Sequence, residues 1–222
     1  MGVRGGTSGI DHNRPLPQRY RYEYDGPIVY QIAPLGYVWP CKEDEELYFR
    51  VRLDTTTGRR QYTGEVCFGP SEPPPAGDPE PPTYREVWER VPIVAPSIGV
   101  NPRVDGLTGL ETWLWVEPQE PVTATVTLNG YTVAATACPV GYVWHVEGRT
   151  YERSEPGSEE RPAVRHIFER SGDYVVGLET VWEGSFSMTG HDLPAVDGTL
   201  GTRAWRSERP YHVASIRSVL IR

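Results

Sequence analysis

Residues 122–138 read VTATVTLNGYTVAATAC, and this stretch decides the fold class. Apolar side chains alternate with threonine or alanine on both sides of Asn129-Gly130, and a period of two residues is typical of a half-buried strand. Asn-Gly is also the strongest short signal for a tight hairpin turn. The stretch therefore predicts two antiparallel strands joined by a two-residue turn.

Similar alternating runs occur on both sides of this hairpin and are separated by turn residues. The further predicted strands are Tyr20–Tyr24, Leu47–Leu53, Gln61–Phe68, Thr112–Glu117, Tyr142–Val146, Val164–Phe168, Tyr174–Ser187 and Tyr211–Ile221. Many short strands with turns at intervals of about 8–12 residues are typical of an all-β sandwich. We therefore predict a mostly all-β protein that ends in an immunoglobulin-like β-sandwich.

Shifts in composition divide the chain into four segments. The predicted segments are a disordered leader over 1–18, a β-rich N-terminal segment over 19–68, a Pro-rich linker over 69–109 and the β-sandwich over 110–222. The linker contains one good helix candidate, over 83–91, because Thr83 and Glu86 have the spacing of a capping box. Proline fixes φ, so we expect the first part of this linker to be extended.

The bulk composition excludes several classes of function. The chain has 222 residues and a formal net charge of −8. An acidic protein is a poor partner for the nucleic-acid backbone or for anionic membranes, both of which need a basic surface. No run approaches the roughly 18 apolar residues of a membrane span. We therefore predict no nucleic-acid partner and no membrane span in this chain.

No residue pattern of a catalytic or metal site is present in the sequence. The five histidines lack metal-ligand spacing, and there is neither a nucleophile elbow nor a phosphate-binding glycine loop. The acidic residues Glu43–Glu46, Asp192 and Asp197 have the right chemistry for calcium but not an EF-hand spacing. We therefore predict a non-enzymatic protein without catalytic residues, metal or cofactor. A site assembled between the two halves of the chain is the enzymatic alternative.

The aromatic residues leave two interpretations open. Tyr20–Tyr24 and the pair Trp113 and Trp115 alternate along strands, which favours burial in a core over a sugar- or protein-binding platform. Trp205 stands between Arg203 and Arg206 and is the aromatic residue that we expect to be exposed. Trp205 is therefore the candidate residue for a recognition patch.

The three cysteines are Cys41, Cys67 and Cys138. In an oxidising compartment Cys41 and Cys67 form the natural pair, because both belong to the N-terminal segment, and Cys138 is then a buried small hydrophobe. In a reducing compartment all three are free thiols. Both interpretations stay open at this point.

Two motifs in the C-terminal half carry a resemblance to a known family. The first is Trp144-His-Val-Glu-Gly148, and the second is His166-Ile-Phe-Glu-Arg-Ser-Gly-Asp-Tyr-Val-Val-Gly-Leu178. Together they resemble the pattern of PKD-type domains, which are immunoglobulin-like sandwiches. From this second motif and Trp144 we expect a core that contains Trp144, Phe168, Tyr174, Val176 and Leu178.

The resemblance extends upstream of the predicted sandwich. The runs Val91–Pro96 and Gly106–Val116 resemble those of uncharacterised secreted actinobacterial proteins with one C-terminal PKD-like domain. This sequence departs from the family where Glu147-Gly148-Arg149 replaces a Gly-Asp-Gly turn, and where the loop over 148–163 lacks a cysteine pair. We expect the departure to change the hairpin and to leave the loop untethered.

The resemblance implies a secreted or cell-envelope module that contacts proteins or glycans, with a structural or adhesive role. The implied location is extracellular or in the cell envelope, although residues 1–17 contain no apolar segment of a secretory signal. A cytoplasmic location is the alternative. A carbohydrate-binding or accessory protein of a secreted hydrolase is the alternative function.

Overall fold

The computed structural model describes residues 10–29, 38–72, 74–75 and 79–215. The fold is mostly β, with 58% strand and 3% helix, which confirms the predicted fold class. Its elements are β1 (Tyr20–Asp25), β2 (Glu46–Asp54), β3 (Arg60–Phe68), α1 (Tyr84–Trp88), β4 (Ile98–Asn101), β5 (Asp105–Leu107), β6 (Glu111–Val116), β7 (Val122–Leu128), β8 (Tyr131–Val146), β9 (Arg149–Arg153), β10 (Val164–Ile167), β11 (Gly172–Gly190) and β12 (Leu193–Ala214).

The strands form three sheets. The first has the order β1-β2-β3, the second β10-β6-β4, and the third β5-β12-β11-β8-β7, with β9 paired to β8. Only β5 and β12 run parallel; the other pairs described are antiparallel. The hairpin predicted at Asn129-Gly130 is the β7–β8 pair, and both turn residues have the positive φ that this turn needs.

The sandwich lies between the β10-β6-β4 sheet and one half of the large sheet. Its core contains Leu114 from one layer and Trp144 and Leu178 from the other, all essentially inaccessible to solvent. Of the predicted core residues, Trp144, Phe168, Val176 and Leu178 are buried, and Tyr174 is half-buried against them. Alternate residues of β11 face this core, because successive side chains of a strand point to opposite faces.

The long strands β8, β11 and β12 continue beyond the sandwich and bury a second core. Helix α1 covers this half through Val87 and Trp88, which pack with Trp182 and Leu200. The helix begins with the predicted capping box of Thr83 but is shorter than expected. A five-residue helix is not stable alone, so its packing against the sheet holds it in place.

The expected disordered leader is wrong for residues 10–18. Leu16 is buried in the second core, and its amide donates a hydrogen bond to the carbonyl of Pro82. The amide of Tyr84 in turn donates to the carbonyl of Arg14. This segment is ordered because it pairs with the chain that enters α1. Residues 1–9 of the predicted leader lie outside the described residues.

Strand β8 keeps one face buried along its whole length by means of a β-bulge. Trp182 of β11 pairs with Pro139 and Val181 pairs with Gly141, so Val140 has no partner there and is 43% exposed. Odd-numbered side chains face the core before the bulge, and even-numbered ones face it afterwards. The bulge explains why the sequence reads as two short strands, where the structure has one of 16 residues.

Three predicted boundaries are corrected by the structure. The sandwich begins at β4 rather than at residue 110, because β4 and β5, which lie in the predicted linker, pair with β6 and β12. The predicted loop over 148–163 contains β9. The predicted last strand begins at Leu193, well before Tyr211. Strands β4, β5 and β12 contain glycine or proline, which weaken the sequence pattern of a strand, and β9 is short and charged. Residues 216–221 of the predicted last strand lie outside the described residues.

Cys41 and Cys67 are joined by a disulfide in the structure, with Cα atoms 5.5 Å apart. This bond connects the segment before β2 to the end of β3, where Cys67 is paired with Leu47. Cys138 is free and half-buried rather than buried as expected, because its neighbour Ala137 takes the inward position on β8.

Removing the disulfide by C41S/C67S is expected to lower the free energy of unfolding by about 3.5 kcal/mol, from the chain entropy of the closed loop. The two cysteines are 26 positions apart. Urea denaturation of the variant and of the parent chain, with and without reductant, measures the loss. C138S is the matched control and should not change the urea midpoint. Equal midpoints for oxidised and reduced parent chain would contradict the prediction.

Candidate functional site

The outward side of the β10-β6-β4 sheet carries two tryptophans. Trp113 of β6 stands between Arg165 of β10 and Asn101 of β4, and Trp115 is paired with Gly99. Directly paired residues of antiparallel strands share a face. We call this surface the tryptophan face; its residues are Gly99, Asn101, Glu111, Trp113, Trp115, Arg165 and Ile167.

Both indoles of the tryptophan face are held in fixed orientations. The Nε1 atom of Trp113 donates to Glu111 at 3.1 Å, and that of Trp115 donates to Glu117 at 3.3 Å. The guanidinium of Arg165 lies 5.3 Å from the centre of the Trp113 ring, a cation–π distance. These contacts fix two planar aromatic groups together with carboxylates and a cation on one surface.

The two tryptophans differ in accessibility. Trp113 is half-buried, whereas Trp115 is only 7% exposed. A Cβ at Gly99 would lie 2.1 Å from the Trp115 ring, so glycine is required there for the indole to lie across β4. Aromatic side chains commonly cover a glycine on the neighbouring strand of a sheet edge.

A cleft of about 470 Å³ lies beside Trp115. Its walls include Gly99, Glu117 and the loop at Ser158, and Arg103 closes one side by an ion pair with Glu159 at 2.9 Å. The amide of Val116 donates to the carbonyl of Pro156, which fastens the same loop to β6. The loop that we expected to be untethered is thus tied down by polar contacts.

Trp115 is buried as expected and Trp113 is half-buried, but neither tryptophan belongs to the sandwich core. The inward residues of β6 are Thr112, Leu114 and Val116, so the two tryptophans point away from the sandwich core. The period of two was read correctly from the sequence, but alternation alone does not say which face meets the opposite layer. On the outer side of the sheet Trp113 is half-buried, and Trp115 is covered against Gly99.

Trp205 is not an exposed aromatic residue. It is half-buried on β12, and its ring lies 5.6 Å from that of Trp88 at the edge of the second core. The guanidinium of Arg203 lies 5.1 Å from the centre of the same ring. Trp205 therefore belongs to the packing around α1, because its ring lies against Trp88.

The tyrosines of Tyr20–Tyr24 offer little free ring surface. Tyr22 is buried, and its hydroxyl donates to the carbonyl of Asp192. Arg50 stacks over Tyr22 at 4.7 Å, and Arg52 stacks over Tyr20 at 5.1 Å. Cation–π contacts across β1 and β2 thus occupy the rings that could have formed a platform.

The buried histidine of the sandwich is held by hydrogen bonds on both ring nitrogens. His166 Nδ1 lies 3.0 Å from the Tyr151 hydroxyl, and Nε2 lies 3.1 Å from a carboxylate oxygen of Glu147. These contacts join the β8–β9 hairpin to β10. The exposed His212 bonds to Asp173 at 2.8 Å, and this hydrogen bond raises the pKa of His212. Both arrangements connect neighbouring strands.

The cleft beside the segment after α1 has about 520 Å³. Prolines, valines and Trp182 form half of its lining residues, and no histidine or cysteine is among them. Within the described residues, no cluster of three or more His, Cys, Asp or Glu side chains has a geometry suited to a metal ion.

The described part of the chain also has no helix that is long and apolar enough to cross a membrane. The candidate site consists of Trp113 and Trp115 on the outer sheet, with Glu111, Glu117 and Arg165 in contact with the two indoles. In comparisons with known proteins, no protein family, curated protein or solved structure matches the chain.

Proposed function

We propose that this protein is a non-enzymatic module that binds a glycan through the tryptophan face. The observation that carries the proposal is the outward position of Trp113 beside Trp115, with Glu111 and Arg165 fixed around the ring. The C–H groups of a sugar ring pack on an indole face, and its hydroxyls find donors and acceptors in the adjacent arginine and carboxylate. The PKD-type resemblance supports the same class of module.

Protein contact is the second candidate function, and exposed aliphatic side chains favour it. Ile167 on the tryptophan face is 47% exposed, and the nearby Leu110 is 52% exposed. Exposed apolar groups beside an aromatic residue and an arginine are typical of the centre of protein interfaces. The glycan remains the leading proposal because polar side chains hold both indoles.

The proposed location is extracellular or in the cell envelope. The disulfide between Cys41 and Cys67 supports this location, because disulfides persist in oxidising compartments and are rare in the cytosol. Outside the cell, the module has a structural or adhesive role. Acting as the accessory protein of a secreted hydrolase is one such role.

Trp113→Ala is expected to weaken glycan binding by about tenfold or more, because it removes the aromatic ring on which the sugar packs. Pull-down on cellulose, chitin and peptidoglycan, and affinity electrophoresis in gels that contain soluble polysaccharides, measure binding. Tyr62→Ala is the matched control, since Tyr62 is 56% exposed but belongs to the separate β1-β2-β3 sheet. Absence of binding to every glycan, or equal loss in both variants, contradicts the proposal.

A further inference from the structure

A second cleft, of about 420 Å³, opens beside the tryptophan face and is lined by three arginines. Arg153 comes from β9, Arg161 from the loop and Arg165 from β10. The volume is within the range of about 300–1,000 Å³ found for small-ligand sites. Arg165 belongs both to this arginine cleft and to the stack on Trp113, so the two sites form one continuous surface.

The guanidinium groups of the arginine cleft keep donors available. The Nε atom of Arg153 donates to the carbonyl of Ala163, and its Nη1 atom donates to the carbonyl of Glu152. These bonds fix the plane of the guanidinium and leave Nη2 as a donor for a ligand. Arg161 is exposed, and its guanidinium makes no hydrogen bond or ion pair with any residue that the structure describes. Arg165 has one long contact, 3.8 Å, to Glu111. A guanidinium carries five N–H donors in a planar fork.

Two acidic residues, Glu155 and Glu160, also line the cleft. Glu160 accepts a hydrogen bond from the Ser158 hydroxyl. Across the described residues, no ion pair connects either glutamate to the three arginines. The lining residues carry a formal charge of +1, from three arginines and two glutamates, on a protein whose net charge is −8.

We propose that the glycan bound at the tryptophan face is anionic, and that the arginine cleft receives the carboxylates of its uronic acid residues. This inference rests on the proposed function and specifies its ligand. A carboxylate matches the guanidinium fork with two parallel hydrogen bonds, and such charge-assisted pairs are stronger than neutral ones. One sugar ring stacks on Trp113 while the acid group of a neighbouring sugar meets Arg165 and Arg161.

Affinity electrophoresis of the full chain in gels with polygalacturonate, or with the same polymer in highly methyl-esterified form, tests this inference. We expect retardation by polygalacturonate and about tenfold weaker binding to the ester, because esterification removes the charge but keeps the sugar. Arg161→Gln should lose about tenfold in affinity for polygalacturonate. Arg149→Gln, which removes the same charge from an exposed residue outside the cleft, should keep the parent affinity.

The outcomes separate this inference from the proposed function. Equal binding of the acid and the ester overturns the anionic ligand but leaves a glycan-binding module. Equal loss in R161Q and R149Q also overturns it, because general charge then explains the binding. Retardation by dextran sulfate, without retardation by polygalacturonate or dextran, overturns the carboxylate ligand and indicates a sulfated one. Absence of retardation by any of these polymers, together with negative pull-downs, removes the proposed function as well.

Discussion

Trp144→Ala is expected to lower the free energy of unfolding by about 3–5 kcal/mol, the range for removing a large aromatic side chain from a core. Trp144 is inaccessible to solvent and lies in the sandwich core opposite Leu114, in register with Leu178 on β11. Its loss leaves a cavity between the two layers, which the closely packed strands can fill only in part. Urea denaturation followed by far-UV circular dichroism measures the change.

Trp144→Phe separates packing from hydrogen bonding at this position. The Nε1 atom of Trp144 is buried and has no hydrogen-bond partner among the described residues. An unpaired buried donor costs about 1–3 kcal/mol, so phenylalanine, which lacks it, should recover most of the loss caused by alanine. A phenylalanine variant as unstable as the alanine variant, or an alanine variant as stable as the parent, would contradict this account of the core.

The side chains that share one face of a predicted strand could be identified from the sequence. That two predicted strands form the single strand β8 could not. Alternation identified the β7–β8 hairpin correctly, and four of the five residues predicted for the sandwich core are buried. It divided β8 in two because the bulge at Val140 moves the buried side chains from odd to even positions. A bulge is fixed by the pairing with the neighbouring strand, and a single sequence does not contain that pairing.

At the candidate site, too, the sequence predicted what depends on neighbouring residues but not what depends on contacts between distant ones. The spacing of Trp113 and Trp115 showed that they share a face, but only the packing of Leu114 against the opposite sheet decides that this face is the outer one. The arginine cleft was not predicted, because Arg153, Arg161 and Arg165 are brought together by the path of a loop. Three arginines within thirteen positions were the one signal available in the sequence.

Trp88→Ala is expected to lower the free energy of unfolding by about 3–5 kcal/mol and to release the segment that packs beside the helix. Trp88 is inaccessible to solvent, and its Nε1 donates to the carbonyl of Leu200 at 3.1 Å. Helix α1 depends on this anchor, and residues 10–16 depend on α1. We therefore expect faster hydrogen exchange at the amides of Leu16 and Tyr84, which bond across this contact.

The matched variants make the test of Trp88 specific. Arg85→Ala alters an exposed residue of the same helix and should leave both stability and exchange near those of the parent chain. Trp88→Phe keeps most of the ring but leaves the carbonyl of Leu200 without its indole donor, so it should cost about 1–3 kcal/mol. That cost should exceed the cost of Trp144→Phe, because only the Trp88 indole has a hydrogen-bond partner to lose. The reverse order, or unchanged exchange at Leu16 in W88A, would show that the second core does not depend on this anchor.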